Sequence, residues 1–172
     1  TWPDRTYNQL AFVNARVSRF VSNTLLVSGN AYYRDLRTSG FFSNVNDDFD
    51  ALLPAGAGNS EGYNVANQTD QSMWGGALQL THTGPLAGRG NQVSFGVAAD
   101  LAETNFVQTQ QEALFTADRG TAGFGPFTLI TAVNTKNHNY GIYVSDVYSL
   151  SERLHLSLGG RYNRAQVRIA DR

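Results

Sequence analysis

The side chains best suited to binding chemistry are arginines and tyrosines on the polar side of segments in which polar and apolar residues alternate. An arginine guanidinium presents a fixed fork of hydrogen-bond donors, which makes it the best side chain for holding an anionic chelate. The candidate ligand-binding residues are Arg16, Tyr32, Arg34, Tyr143, Arg161 and Asn163. A second interpretation stays open, in which these residues and acids such as Asp100 form a structural polar network between the wall of strands and a plug packed against it.

Catalytic and metal chemistry have little support in the sequence. Cysteine is absent, which excludes thiolate metal sites and cysteine nucleophiles. The three histidines, His82, His138 and His155, lack the spacing of metal ligands. The acidic segment 46–50 lacks the glycine and the terminal glutamate of a calcium-binding loop, and no G-x-S-x-G motif occurs. We therefore predict a protein that is not an enzyme, with no catalytic residue, no metal ligand and no cofactor.

The composition restricts the fold class and the partners. The chain has 172 residues with 13 basic and 14 acidic side chains, a formal charge of −1, so no basic surface predicts a nucleic-acid partner. No apolar run approaches the roughly 18 residues of a transmembrane helix. The N-terminal segment has neither a basic start nor an apolar core, so we predict no signal peptide. Abundant glycine and aromatic residues favour an all-β chain.

Hydrophobicity alternates with a period of two along the chain, which indicates β-strands with one apolar face and one polar face. The predicted strands, about six in number, are approximately Tyr7–Arg19, Thr24–Arg37, Gln71–His82, Asn91–Val107, Asn139–Leu150 and Arg153–Ile169. They are longer than the strands of about 5–6 residues common in globular sheets. They reach the roughly 9–11 residues that a tilted strand needs to cross a bilayer.

The predicted connections alternate between short and long. The short ones are Phe20–Asn23, Thr83–Gly90 and Ser151–Arg153, and the long polar ones are Thr38–Asp70 and Gln108–His138. In an up-and-down antiparallel sheet, alternate connections lie at the same end, so all long loops fall on one side. This asymmetry is typical of outer-membrane β-barrels. A soluble antiparallel sheet with one wetted face remains an alternative interpretation.

The predicted faces agree with a barrel wall. Aromatic residues occur on the apolar faces near the predicted strand ends, as in the girdle at a lipid–water boundary. They are Tyr33, Trp74, Tyr140, Tyr148 and Tyr162. The opposite faces carry serine, asparagine, glutamine and arginine, which suit a watery lumen. The predicted fold is an all-β antiparallel up-and-down meander of about six long strands, part of a large transmembrane β-barrel.

The segment NYGIYVSDVYSLSERLHLSLGGRYNR, Asn139–Arg164, resembles a barrel hairpin of the TonB-dependent outer-membrane receptors. A descending strand, a short turn and an ascending strand each carry residues typical of that hairpin. The matching residues are Gly141, Tyr143, Asp146, Tyr148, Leu150, Ser151, Glu152, Arg153, Leu154, Leu158, Gly160, Arg161, Tyr162 and Asn163. Ser145 stands where the family usually has glutamine. The match is tight over about 26 residues, and elsewhere only the architecture and the loop order agree.

The resemblance implies a barrel of roughly 22 strands around a plug, of which residues 1–172 would be a partial transmembrane domain without the plug and the remaining strands. It implies energy-coupled uptake of a chelated nutrient, most often a ferric siderophore, across the bacterial outer membrane. The implied partners are outer-membrane lipid, the plug domain and the TonB complex through the parent chain, and a ferric-siderophore-like ligand. The alternatives are a passive porin-like or small structural outer-membrane barrel, and a soluble lipocalin-like domain.

Overall fold

The computed structural model describes residues 4–171, which form one antiparallel sheet. The strands are β1 (Arg5–Phe20), β2 (Leu25–Val45), β3 (Gly62–Leu86), β4 (Arg89–Phe115), β5 (Thr121–Gly123), β6 (Thr128–Ser149) and β7 (His155–Asp171). Their order in the sheet is β1-β2-β3-β4-β6-β7, and the short β5 pairs with β4. The predicted meander of long antiparallel strands is confirmed, with β5 as an addition.

The strands are longer than predicted, and the predicted extent of the long loops is wrong. Most of Thr38–Asp70 and Gln108–His138 is strand, and only residues 46–61 and 116–127 connect the long strands there. The outer parts of these strands carry polar residues on both faces, as in Asn67–Gln71, which stay paired with β4. The alternation of hydrophobicity therefore disappears where the backbone pairing continues, since both faces meet water.

The alternation of short and long connections is confirmed, and the tightest connection is shorter than predicted. Strand β3 ends at Leu86 and β4 begins at Arg89, so two residues, Ala87 and Gly88, form the turn. Their φ angles are 50° and 75°, and a type I′ hairpin turn requires positive φ at both central positions. All short turns lie at one end of the sheet and both long loops lie at the other.

Burial is inverted relative to a water-soluble domain. Among the described residues, the buried hydrophobic side chains are Val65 and Ala113 alone, whereas Leu78, Phe95 and Ile142 are 49%, 47% and 50% exposed. The buried polar side chains are more numerous: Asn46, Ser60, Asn64, Thr81, Asn91, Ser94 and Asn134. Exposed apolar area of this extent marks an interaction surface. The part of the chain that the structure describes has no helix long and apolar enough to cross a membrane.

The apolar face forms a band with a defined edge towards the long loops. On β4 it spans Val93–Leu101, about nine residues, close to the length that crosses a bilayer. At the edge, the rings of Tyr33 and Trp74 pack at a centroid distance of 4.3 Å. Beyond them the same face becomes charged, for example at Glu103. The edge aromatics therefore lie in mid-strand, not near the strand ends as predicted, because β2 and β3 continue past the band.

Candidate functional site

The polar face carries hydrogen-bonded side chains that cross several strands. Tyr32 on β2 extends over Gly75 on β3, and its hydroxyl donates a hydrogen bond of 2.6 Å to Asp100 on β4. A Cβ atom at Gly75 would collide with both the tyrosine ring and the carboxylate. Glycine at the middle strand is therefore a requirement of this contact. The bond joins a candidate ligand-binding residue to Asp100, the acid of the alternative interpretation.

Arg34 lies two residues further along β2 and belongs to a second cross-strand chain. Its Nη2 donates to Gln71 Oε1 at 2.6 Å, and Gln71 Nε2 donates to Thr104 Oγ1 at 3.1 Å. Arg34 Nε is buried and has no hydrogen-bond partner within residues 4–171. The guanidinium is thus positioned by Gln71 of β3.

A third group surrounds a depression on the polar face nearer the short turns. Tyr143 on β6 lies over Gly96 on β4 and donates a hydrogen bond to Gln79 Oε1 on β3. Arg16 on β1 lines the same depression, whose volume is about 420 Å³, together with Gln79 and Tyr143. An arginine, an amide and a phenol converge here from three different strands. This arrangement can hold an anionic, oxygen-rich ligand.

The last two predicted residues lie on β7. Arg161 Nε donates a hydrogen bond of 2.9 Å to Asn163 Oδ1, and both side chains are exposed. Arg161 pairs in register with Tyr143, and Asn163 pairs with Gly141, so both belong to the polar face.

All six predicted residues thus lie on one face, but in separate groups. Arg16 and Tyr143 line one depression. Tyr32 and Arg34 of β2 each begin a series of hydrogen-bonded side chains that crosses to neighbouring strands. Arg161 and Asn163 form a hydrogen-bonded pair on β7. Gln71 and Gln79, whose amides hydrogen-bond Arg34 and Tyr143, were not among the predicted site residues. The alternation places both amides on the polar face, which was the available signal. Within residues 4–171 no three metal-ligating side chains come together.

The two long loops are each tied to the outer strand ends. The backbone N–H of Gly58 donates to Glu112 Oε1 at 2.9 Å, and the N–H of Phe115 donates to Glu61 Oε2 at 2.7 Å. Thr121 on β5 hydrogen-bonds Ser43 and Asn64. The loops therefore form an ordered cap at one end of the sheet.

A family model described as TonB dependent receptor-like, beta-barrel matches residues 1–172. The chain belongs to this TonB-dependent receptor β-barrel family. Family members are transporters of the bacterial outer membrane. A comparison with curated proteins found no match.

Membership in the TonB-dependent receptor family assigns the two faces of the sheet. In a barrel of this kind the apolar face meets lipid and the polar face lines the interior. The short turns are then the periplasmic ones, and the loop cap lies at the outer surface. All six candidate residues belong to the interior-facing side of the wall.

The loop cap gives a first testable prediction for the receptor. We expect Glu61→Gln to weaken the bond to the Phe115 amide, since a charged acceptor is worth more than a neutral one, by about 1 kcal/mol at this partly exposed site. Hydrogen–deuterium exchange of residues 116–127 in the complete receptor should then accelerate severalfold. Glu152→Gln, in a short turn at the opposite end, is the control. Equal exchange in both variants would contradict a structural role for the bond between Glu61 and the end of β4.

Proposed function

We propose that this chain is a section of the barrel wall of an outer-membrane receptor that takes up a chelated nutrient, with a ferric siderophore as the favoured ligand. The observation that carries the proposal is the inverted burial, in which large apolar side chains are exposed and polar side chains are buried. A sheet of this kind is stable where lipid covers one face. Within the described residues, β1 and β7 each pair on one side only, so further strands of a parent chain would close the barrel.

The interior residues support an anionic ligand. Arg16 is exposed and lines a depression with Tyr143 and Gln79. Guanidinium groups bind carboxylate and other anionic oxygens through paired hydrogen bonds. In the proposed mechanism, loops and wall capture the chelate, and a plug in the parent chain rearranges to release it when energy arrives through TonB. No covalent step is involved.

Energy coupling is tested by uptake of a radiolabelled ferric siderophore into cells that carry the complete receptor. We expect uptake that depends on the receptor gene and falls to background when TonB is deleted. Uptake that persists without TonB would favour a passive porin-like barrel and overturn the coupling.

Arg16→Gln tests whether the interior wall contacts the ligand. Loss of a charged hydrogen bond costs about 1.5–3 kcal/mol, so we expect the dissociation constant of the ferric chelate to rise roughly 10- to 100-fold. Isothermal titration calorimetry on the purified receptor measures this change. Arg89→Gln removes the same charge beside the Ala87–Gly88 turn and should leave the affinity unchanged.

The structural interpretation of Arg16 predicts a different outcome. If Arg16 holds a plug domain in place, Arg16→Gln should leave the chelate affinity unchanged and accelerate hydrogen exchange in the plug. That result would remove Arg16 from the proposed ligand site and retain the rest of the receptor assignment.

A further inference from the structure

A group of basic side chains lies on the outward, lipid-facing side of β6 and β7. We call Lys136, His138, Arg164 and Arg168 the cationic patch. Lys136 pairs in register with Arg168, and Tyr140 pairs with Arg164, so the four side chains occupy adjacent positions of one face. Lys136 is the only lysine of the sequence and its side chain is 51% exposed.

The patch lies at the edge of the apolar band. Tyr140 and Tyr162 are the outward-facing aromatic residues next to His138 and Arg164 along their strands, and His138 contacts Tyr140 edge-on at 6.5 Å. Below them on β6 the same face continues with Ile142 and Val144. Tyrosines of this kind sit at the level of lipid headgroups. The cations just beyond them therefore lie where headgroup phosphates lie.

Within residues 4–171, the acids of the outward face beside the patch are fewer than its cations. Glu103 on β4 is the acid beside the patch, and its Oε1 lies 3.6 Å from Lys136 Nζ. This single negative charge is smaller than the combined positive charge of Lys136, Arg164 and Arg168. At another position of the outward face a cation is paired with acids, since Arg37 Nε lies 3.5 Å from Asp35 Oδ1 and 4.0 Å from Asp70 Oδ1.

An apolar groove extends from the patch into the band. Its volume is about 630 Å³, and its lining residues include Trp74, Gly76, Ala99 and Ile142. Gly76 pairs in register with Ala99. These two small residues leave room between the larger side chains of the groove, such as Trp74 and Ile142. A smaller depression lined by Lys136, His138 and Glu103 shares Trp74 and Leu101 with the groove. Lys136 and His138 of the patch therefore border the apolar groove.

We propose that this surface binds a phosphate-bearing membrane lipid, with its phosphate on the cationic patch and an acyl chain in the groove. A lipid is the occupant that joins an anion to a long apolar chain at the level of the bilayer surface, and basic pockets on membrane proteins bind such headgroups. The inference depends on the apolar face meeting lipid. It is independent of the nutrient that the receptor transports.

The test counts lipid molecules bound to the complete receptor in a neutral detergent by native mass spectrometry, with phosphatidylglycerol as the probe. We expect at least one molecule to be retained by the wild type. The variant Lys136→Gln, Arg164→Gln, Arg168→Gln should lower the retained fraction about tenfold. Ala99→Leu, which fills the groove without changing charge, should lower it as well. Arg37→Gln removes an ion-paired cation of the same face and should have no effect.

Three results would overturn the proposal. The first is equal retention by the wild type and the triple variant, and the second is equal retention of phosphatidylglycerol and uncharged diacylglycerol. The third is displacement by millimolar inorganic phosphate, which would show a plain anion site. Siderophore uptake is measured in parallel, and its absence with intact lipid retention would count against the proposed transport function alone.

Discussion

Val97→Arg should destabilise the barrel by about 2–4 kcal/mol, whereas Ala98→Arg should cost much less. Val97 lies within the apolar band of β4 and faces lipid, and its neighbour Ala98 faces the interior. A charged side chain near the bilayer midplane carries this penalty, and one in a watery lumen does not. The difference in unfolding free energy is measured by denaturant titration of the complete barrel folded into lipid vesicles.

Leu156→Arg is a depth control for the same experiment. Leu156 also belongs to the apolar face, but it is the second residue of β7 and pairs with Tyr148 beside a short turn. Near the interface the penalty for arginine falls to about 0–1 kcal/mol. Equal destabilisation by Val97→Arg and Ala98→Arg would reverse the assignment of the faces, and a large effect at Leu156 would shift the proposed bilayer level.

Gly96→Leu should destabilise the wall by about 1–3 kcal/mol, because the ring of Tyr143 occupies the space that a side chain would fill. The substitution displaces the ring and breaks its hydrogen bond to Gln79. In a Tyr143→Ala background, Gly96→Leu should be close to neutral. The coupling free energy from this double-mutant cycle is the measured quantity.

Gly160→Leu provides the comparison for Gly96→Leu. Gly160 lies on the apolar face of β7, and a Cβ atom there would meet nothing within 4 Å. The added side chain should be tolerated, since it gains contact with lipid. Comparable losses at Gly96 and Gly160 would mean that the cost comes from the backbone of a strand glycine and not from the tyrosine ring.

The parts of the fold that could be predicted are those where the two faces of a strand meet different phases. Between Val93 and Leu101, apolar and polar residues alternate, and the alternation identifies the strand and both of its faces. Past Leu101, residues such as Thr104 and Asn105 are polar on either side, so the sequence resembles a loop although the backbone stays paired. The residue pattern reveals a strand where its two faces meet different phases, lipid and water. Where both faces meet water, the pattern does not distinguish a strand from a loop.

For the candidate site, the sequence could predict the face on which each side chain lies, but not which side chains meet. Alternation alone placed the guanidinium and phenol groups on one face, because side-chain direction has a period of two. It could not reveal which groups meet, since contacts such as Tyr32 to Asp100 depend on the register of three strands. The alternation places Gly75, which lies between them, on the polar side, but it cannot show that the tyrosine ring occupies the space above this glycine.

The two-residue turn at Ala87 and Gly88 has a consequence for how the wall assembles. Strands β3 and β4 must close a connection of only two residues, whereas β2 and β3 are separated by the whole of residues 46–61. Closing a short connection costs less chain entropy, so we expect the β3–β4 hairpin to form before β2 pairs with β3. Its hydrogen bonds should form in order from the periplasmic turn towards the outer surface. Its register, fixed at Leu86 opposite Arg89, then acts as the template on which β2 and β6 align.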